Sequence, residues 1–152
     1  MGVEPDIMTL AKPLAGGLPI GATLMTQKVA DALGPGDHGS TFAAGPLVCH
    51  AANVVFDTVA QDGFLQNVQH SGAYLKHRLE TLEVEGVVEV RGAGLLVGME
   101  METAVSPIIG KAREHGLLII NAGENVLRFA PPLIVGESEI NEAVEILEAC
   151  LS

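Results

Sequence analysis

A lone lysine follows a short apolar segment near the start of the chain. Residues 7–11 are apolar apart from Thr9 and rich in branched side chains, and Lys12 and Pro13 end the run. We predict a buried strand, because the run is short and the proline favours extended backbone at the residue before it. Burial at the strand end would lower the pKa of the lysine amine and make it nucleophilic toward an aldehyde. The alternative is a solvated surface lysine, the commoner role of this residue type.

Two adjacent hydroxyl side chains lie in a glycine-containing loop. Ser40 and Thr41 belong to the segment Gly36–Phe42, in which Gly39 precedes them directly. Hydroxyl and backbone N–H donors in such a loop suit a phosphate group. The alternative is an ordinary Ser/Thr turn before a helix.

One arginine lies among apolar neighbours on a predicted strand. Arg128 belongs to the segment Val126–Leu133, whose other residues are apolar. A guanidinium in this setting needs a planar anion as its partner. The segment therefore predicts either a carboxylate-binding site for a ligand or a structural ion pair with an acidic side chain.

Composition argues against several other kinds of site. The 152 residues carry a formal net charge of −11, which argues against binding to nucleic acid. The five histidines and two cysteines show no metal-ligand or redox spacing, so no metal site is predicted. Apolar stretches are too short to cross a membrane, and the first residues lack a signal-peptide pattern. We therefore expect no membrane partner.

A hairpin and two helices are expected to position the lysine and the hydroxyls. Residues 20–26 are predicted to return as a second strand after a glycine turn. A short helix is predicted at residues 27–33, followed by a polar loop at 37–45. Pro46 suits the first turn of a helix that ends near residue 60. That helix is apolar on almost every face, which predicts burial between layers or against another chain.

The second half of the chain has an amphipathic pattern of helices and short strands. Four strands are predicted, at residues 87–91, 95–101, 117–121 and 126–130. Helices are predicted at about residues 62–82 and at 106–115, and a final helix is predicted to begin with Ser138 as its N-cap. The fold class expected is α/β to α+β, with residues 1–60 and 61–152 as two domains.

Four segments together resemble the class III pyridoxal-phosphate-dependent aminotransferases, and within that family the acetylornithine group. They are the lysine segment Pro5–Ala22, the loop Gly36–Phe42, the glycine segment Arg91–Glu100 and the arginine segment Val126–Leu133. Gly45 departs from the pattern, in which asparagine or serine precedes the proline. The resemblance implies the C-terminal portion of a fold-type I transferase. Residues 1–60 would end the large cofactor-binding domain, and residues 61–152 would be the small C-terminal α+β domain.

The resemblance also implies a role for each candidate residue. Lys12 would hold pyridoxal 5'-phosphate and move a proton between substrate and cofactor. Thr41 would bind the cofactor phosphate across the interface of a homodimer, and Ser40 would contact an acylated amino substrate. Arg128 would receive the carboxylate of the amino or keto acid. The glycine segment that begins at Arg91 is interpreted as architecture, because its glycines permit close strand packing.

The activity implied is amino transfer from N-acetylornithine to 2-oxoglutarate, giving N-acetylglutamate semialdehyde and glutamate, in arginine biosynthesis. The alternatives are another ω-aminotransferase, acting on ornithine, succinylornithine or gamma-aminobutyrate, or a catalytically silent fragment. Family members are longer, so the phosphate cup, the stacking ring, the aspartate for the pyridinium nitrogen and a second arginine are expected upstream of a truncated chain. The expected compartment is the cytoplasm, or a plastid or mitochondrion where a transit peptide precedes the chain.

Overall fold

The chain folds into two compact units that join after Asp62. Its structure is a computed structural model that describes residues 2–151. Among these residues, Ala15 is the one buried apolar residue of the first unit, and all the others lie in the second unit. The hydrophobic core therefore belongs to the second unit.

The first unit contains the predicted hairpin. Strand β1 (Ile7–Leu10) pairs antiparallel with β2 (Ala22–Met25), and a 3-10 turn (Lys12–Ala15) lies between them. The prediction that the first strand is buried is wrong within this structure, since all four residues of β1 are exposed. A two-stranded hairpin cannot cover its own side chains, so their burial requires a further layer.

Two helices and a long loop complete the first unit. Helix α1 (Gln27–Ala30) is shorter than predicted, and helix α2 (Pro46–Val59) begins at the predicted proline. Gly45 precedes α2 and offers no side chain to cap it. None of the residues of α2 is buried, so the predicted burial between layers is not found among the described residues. Burial of this helix against another chain stays a prediction.

The second unit is an antiparallel sheet with three helices. Its elements are α3 (Phe64–Glu80), β3 (Val87–Ala93), β4 (Leu96–Met101), α4 (Ser106–Glu114), β5 (Ile120–Asn121), β6 (Val126–Phe129) and α5 (Glu137–Leu151). The strand order is β3-β4-β6-β5, and every neighbouring pair is antiparallel. This agrees with the predicted α+β arrangement, although β5 is shorter than the predicted strand at residues 117–121.

The core lies between one face of this sheet and the helices. Alternate strand residues point inward, and the helices contribute one apolar side each. The largest fully buried side chains are Leu79, Val97, Met99, Val105, Leu127, Val144 and Leu147. The intervening strand residues, among them Arg91, Gly98 and Arg128, lie on the opposite face of the sheet.

A contact between two glycines joins α3 to the turn between β3 and β4. A Cβ atom at Gly72 would overlap the carbonyl group of Gly94 and lie 2.8 Å from its Cα. Gly72→Ala is therefore expected to lower the free energy of unfolding by about 1–3 kcal/mol, because the backbone must move to admit a methyl group. Urea unfolding followed by circular dichroism measures this loss.

Gly110→Ala provides a control, for which a change of opposite sign in the free energy of unfolding is expected. Gly110 also lies within a helix, α4, but a Cβ atom there would meet nothing within 4 Å. Gly110→Ala is expected to raise the free energy of unfolding by roughly 0.5–1 kcal/mol through helix propensity alone. Equal effects of the two substitutions would contradict the assigned contact.

Helix α5 begins differently from the prediction. It starts at Glu137, so Ser138 lies in the first turn and is not the N-cap. The Glu139 carboxylate instead accepts the backbone N–H of Gly136 at 3.2 Å and the Ser138 hydroxyl at 2.9 Å. This is half of a capping box, in which the carboxylate at the third helical position takes an otherwise unpaired backbone N–H.

This arrangement predicts a pH-dependent stability. Hydrogen bonds from its own backbone N–H, from the Ser138 hydroxyl and from the Gly136 N–H lower the pKa of Glu139. Because folding lowers this pKa, the Glu139 carboxylate stabilises the fold at pH values above the ordinary glutamate pKa of about 4.3. The stabilisation is lost as the pH falls through the pKa of the folded state. Wild type should exceed Glu139→Gln in stability at pH 7, with a smaller difference at pH 3. Glu145→Gln, on an exposed part of α5, serves as the control.

Candidate active site

Lys12 lies at the point where β1 ends and the 3-10 turn begins. Its φ is 37°, and among the described residues only Ala44 shares a positive φ without being glycine. The residue is exposed, and its amine has no hydrogen bond or ion pair within the described chain. A non-glycine residue held in this sparsely populated region is a sign of a functional constraint. Within the described residues the amine is exposed to solvent.

Ser40 and Thr41 lie in the loop between α1 and α2. Both are exposed, and neither hydroxyl makes a hydrogen bond to a described residue. The chain turns at residues 41–44, where Ala44 has a φ of 56°. The predicted loop is therefore present, and its two hydroxyls are available as donors.

Arg128 lies on β6 and points away from the core. Its neighbours Leu127 and Phe129 are buried, whereas Arg128 itself is exposed. No ion pair or side-chain hydrogen bond involves its guanidinium within residues 2–151. The interpretation as a structural ion pair is thus not supported by the described residues.

Arg91 of β3 carries a second guanidinium on the same face of the sheet as Arg128, and sequence reasoning missed it. Its Nη1 donates to Glu89 Oε2 at 2.8 Å and to Oε2 of Glu100. The bonds to Glu100 and then to Glu89 raise the pKa of Arg91, so it stays protonated. Two carboxylates therefore already accept from Nη1 of this guanidinium.

The two arginines line one open cleft on the outer face of the sheet. The cleft has a volume of about 520 Å³, and Gly98 and Val126 contribute to its floor. Arg91 pairs with Gly98 across β3 and β4, and Gly98 pairs with Arg128 across β4 and β6. Residues directly opposite in an antiparallel pair point to the same face. The cleft therefore offers one paired and one unpaired cation to an anionic ligand.

The predicted residues are divided between the two units. Lys12, Ser40 and Thr41 lie in the first, and Arg128 lies in the second. The first unit offers one exposed amine and two exposed hydroxyls, and the second unit offers an exposed guanidinium. Among residues 2–151 no three side chains of the metal-ligating types come together. No helix in that range has the length and apolar character needed to cross a membrane.

Comparison with known proteins gives a consistent result. The profile of the family described as Aminotransferase class-III matches residues 1–151. The mitochondrial acetylornithine aminotransferase of Alnus glutinosa is 53% identical over 153 residues, which cover 98% of this chain and 34% of that protein.

Solved structures of the same kind share the fold. The acetylornithine aminotransferase of Elizabethkingia anophelis superimposes with a TM-score of 0.87 at 31% identity, over 98% of this chain and 41% of that chain. The ornithine δ-aminotransferase of Plasmodium falciparum gives 0.88 at 31% identity, over 99% and 40%. The chain therefore spans 34% to 41% of the length of these three proteins.

Proposed function

The chain belongs to the class III aminotransferase family, and from that premise we propose that it is part of an enzyme that transfers an amino group from N-acetylornithine to 2-oxoglutarate. The observation that carries this proposal is the 53% identity to a protein named acetylornithine aminotransferase across 98% of the chain. The predicted fold class, a portion of a fold-type I transferase, is confirmed by the structural matches. We assign the first unit to the end of the large cofactor-binding domain and the second to the small domain.

Pyridoxal phosphate fits the donors of the first unit. The cofactor would need an amine for its aldehyde and neutral donors for its phosphate. Lys12 supplies an exposed amine without a partner among the described residues, and Ser40 and Thr41 supply exposed hydroxyls. When bound, the cofactor supplies the electron sink for the transfer. Lys12 would hold it and carry the proton to and from the substrate, and Thr41 would bind the phosphate.

Arg128 and Ser40 would position the substrates. An unpaired guanidinium beside an open cleft can bind a carboxylate through two parallel hydrogen bonds. Arg128 meets both conditions, so it would receive the carboxylate of the amino or keto acid. Ser40 would contact the acylated amino group, which favours N-acetylornithine over an unmodified diamine.

A homodimer with a shared active site accounts for the exposed surfaces of the first unit. Phe42, directly after Thr41, is 90% exposed, and Phe56 of α2 is 68% exposed. Large apolar side chains left in water favour association. We propose that a second copy covers α2 and that the loop with Thr41 reaches the partner's cofactor. The expected compartment is the cytoplasm, with the mitochondrion or a plastid as the alternative.

Ornithine is the second candidate donor, because the ornithine aminotransferase structure matches as well as the acetylornithine aminotransferase structure does. Glutamate formation from 2-oxoglutarate by the purified protein, with each donor in turn, separates the proposals. We expect N-acetylornithine to give the highest kcat/KM. A preference for ornithine would replace the first proposal by the second. No glutamate from these two donors, or from succinylornithine and gamma-aminobutyrate, would identify a silent fragment.

A further inference from the structure

Gly98 lies in the middle of β4, where glycine has a cost. Glycine in a strand interior adds no packing and loses more conformational entropy than other residues. At Gly92 the backbone explains the choice, because a Cβ atom there would overlap the carbonyl group of Leu96. Gly98 has neither a positive φ nor a backbone atom closer than 3.9 Å to the position of a Cβ. The backbone therefore does not require glycine at position 98, and the one close neighbour that a Cβ atom would meet there is the Val126 side chain, at 3.2 Å.

The surroundings of Gly98 supply a reason. It stands between Arg91 and Arg128 in one row across three strands, and all three residues line the same cleft. Two strand spacings place the backbones of the two arginines roughly 10 Å apart. A side chain at position 98 would stand in the gap between them. Glycine within a strand often marks a place where a ligand approaches the backbone closely.

The charges of the cleft decide at which end the ligand binds. Arg91 is held by Glu89 and Glu100, so that end carries one positive and two negative groups. Arg128 has no ionic partner among the described residues and lies one strand away from Gly98. An anion is therefore attracted to the Arg128 side of the cleft and repelled from the carboxylates beside Arg91.

We propose that Gly98 is a specificity-determining residue, whose missing side chain leaves room for the ligand carboxylate that Arg128 binds. The inference rests on the proposed role of Arg128. It adds that the bound carboxylate lies against the backbone of Gly98. The class of ligand is a carboxylate at the end of an amino or keto acid. Any side chain at position 98 narrows the space beside the Arg128 guanidinium.

The test adds one methyl group to the floor without crowding the fold. A Cβ atom at position 98 would lie 3.2 Å from Val126 Cγ1, which is tight. We therefore compare the single variant Val126→Ala with the double variant that carries both Val126→Ala and Gly98→Ala. The Val126→Ala substitution removes the tight contact from both proteins. Titration of the full chain with 2-oxoglutarate, followed by NMR of the arginine side-chain N–H groups, measures Kd. Arg128→Ala identifies the signal that reports the site, and thermal unfolding gives Tm for each variant.

We expect Gly98→Ala to weaken 2-oxoglutarate binding by about tenfold in the Val126→Ala background, with an unchanged or higher Tm. A lower Tm with unchanged Kd would assign Gly98 a structural role and overturn the inference alone. Binding that Arg128→Ala leaves unaltered, or no binding by the wild-type chain, would overturn the role of Arg128 and the inference with it.

Discussion

Replacement of Lys12 by alanine is expected to lower the rate of glutamate formation by about 10⁴-fold or more, the loss typical when a group essential to covalent catalysis is removed. The amine is the only group of its kind on the hairpin, since the chain has no other lysine before Lys28. Neither Ser40 nor Thr41 can replace it, because a hydroxyl cannot hold an aldehyde as a stable imine. The measurement is steady-state kcat with N-acetylornithine and 2-oxoglutarate.

Lys28→Ala is the matched control for this substitution. Lys28 is an exposed lysine of the same unit, on α1, and its loss should change kcat less than twofold. Lys12→Arg keeps the positive charge but not the nucleophilic amine, so it should be as inactive as Lys12→Ala. Substantial activity in Lys12→Arg would show that the charge, and not the amine, is what the reaction uses.

Replacement of Arg128 by alanine is expected to raise KM for 2-oxoglutarate by about 10- to 150-fold. A hydrogen bond to a charged group contributes about 1.5–3 kcal/mol, which corresponds to that range. The effect should be large because the guanidinium makes no ion pair or hydrogen bond with any other described side chain. KM for the amino donor should rise as well, since both substrates present a carboxylate. The measurement is initial rates with each substrate varied in turn.

Two further variants test the geometry of this interaction. Arg128→Lys keeps the charge but loses the planar pair of donors, and it should recover only part of the affinity. Arg113→Ala removes an exposed arginine of α4, away from the cleft, and should leave KM unchanged. A normal KM in Arg128→Ala would mean that the carboxylate is bound elsewhere.

Local sequence pattern predicted the elements well where their own residues determine them. The hairpin follows from a short apolar run, a proline and a pair of glycines, and the structure contains it. Helix α2 begins at the expected Pro46. What failed was the predicted burial of β1, whose four residues are exposed, and no residue of the apolar helix α2 is buried within this chain. Apolar pattern predicts that a surface should be covered, but it does not say which element or chain covers it.

Sequence reasoning missed Arg91 because its role depends on the pairing of β3 with β4. Gly94 and Leu95 make a two-residue turn, which sets Arg91 opposite Gly98 and brings Glu100 within reach of the guanidinium. That register was available in principle from the turn. Without the register, Arg91 could be described only as an arginine in a glycine-rich segment. The sequence did not show that Arg91 is ion-paired whereas Arg128 is not. The capping of α5 by Glu139 was missed for a similar reason, since Ser138 was the more obvious N-cap.

The most direct test of the central proposal is whether pyridoxal phosphate attaches to Lys12. The purified protein is incubated with the cofactor, reduced with borohydride, and examined by intact mass and peptide mapping. We predict a single stoichiometric adduct on Lys12. No adduct, or adducts spread over Lys28, Lys76 and Lys111, would contradict the assignment of Lys12 as the cofactor-binding lysine of this chain.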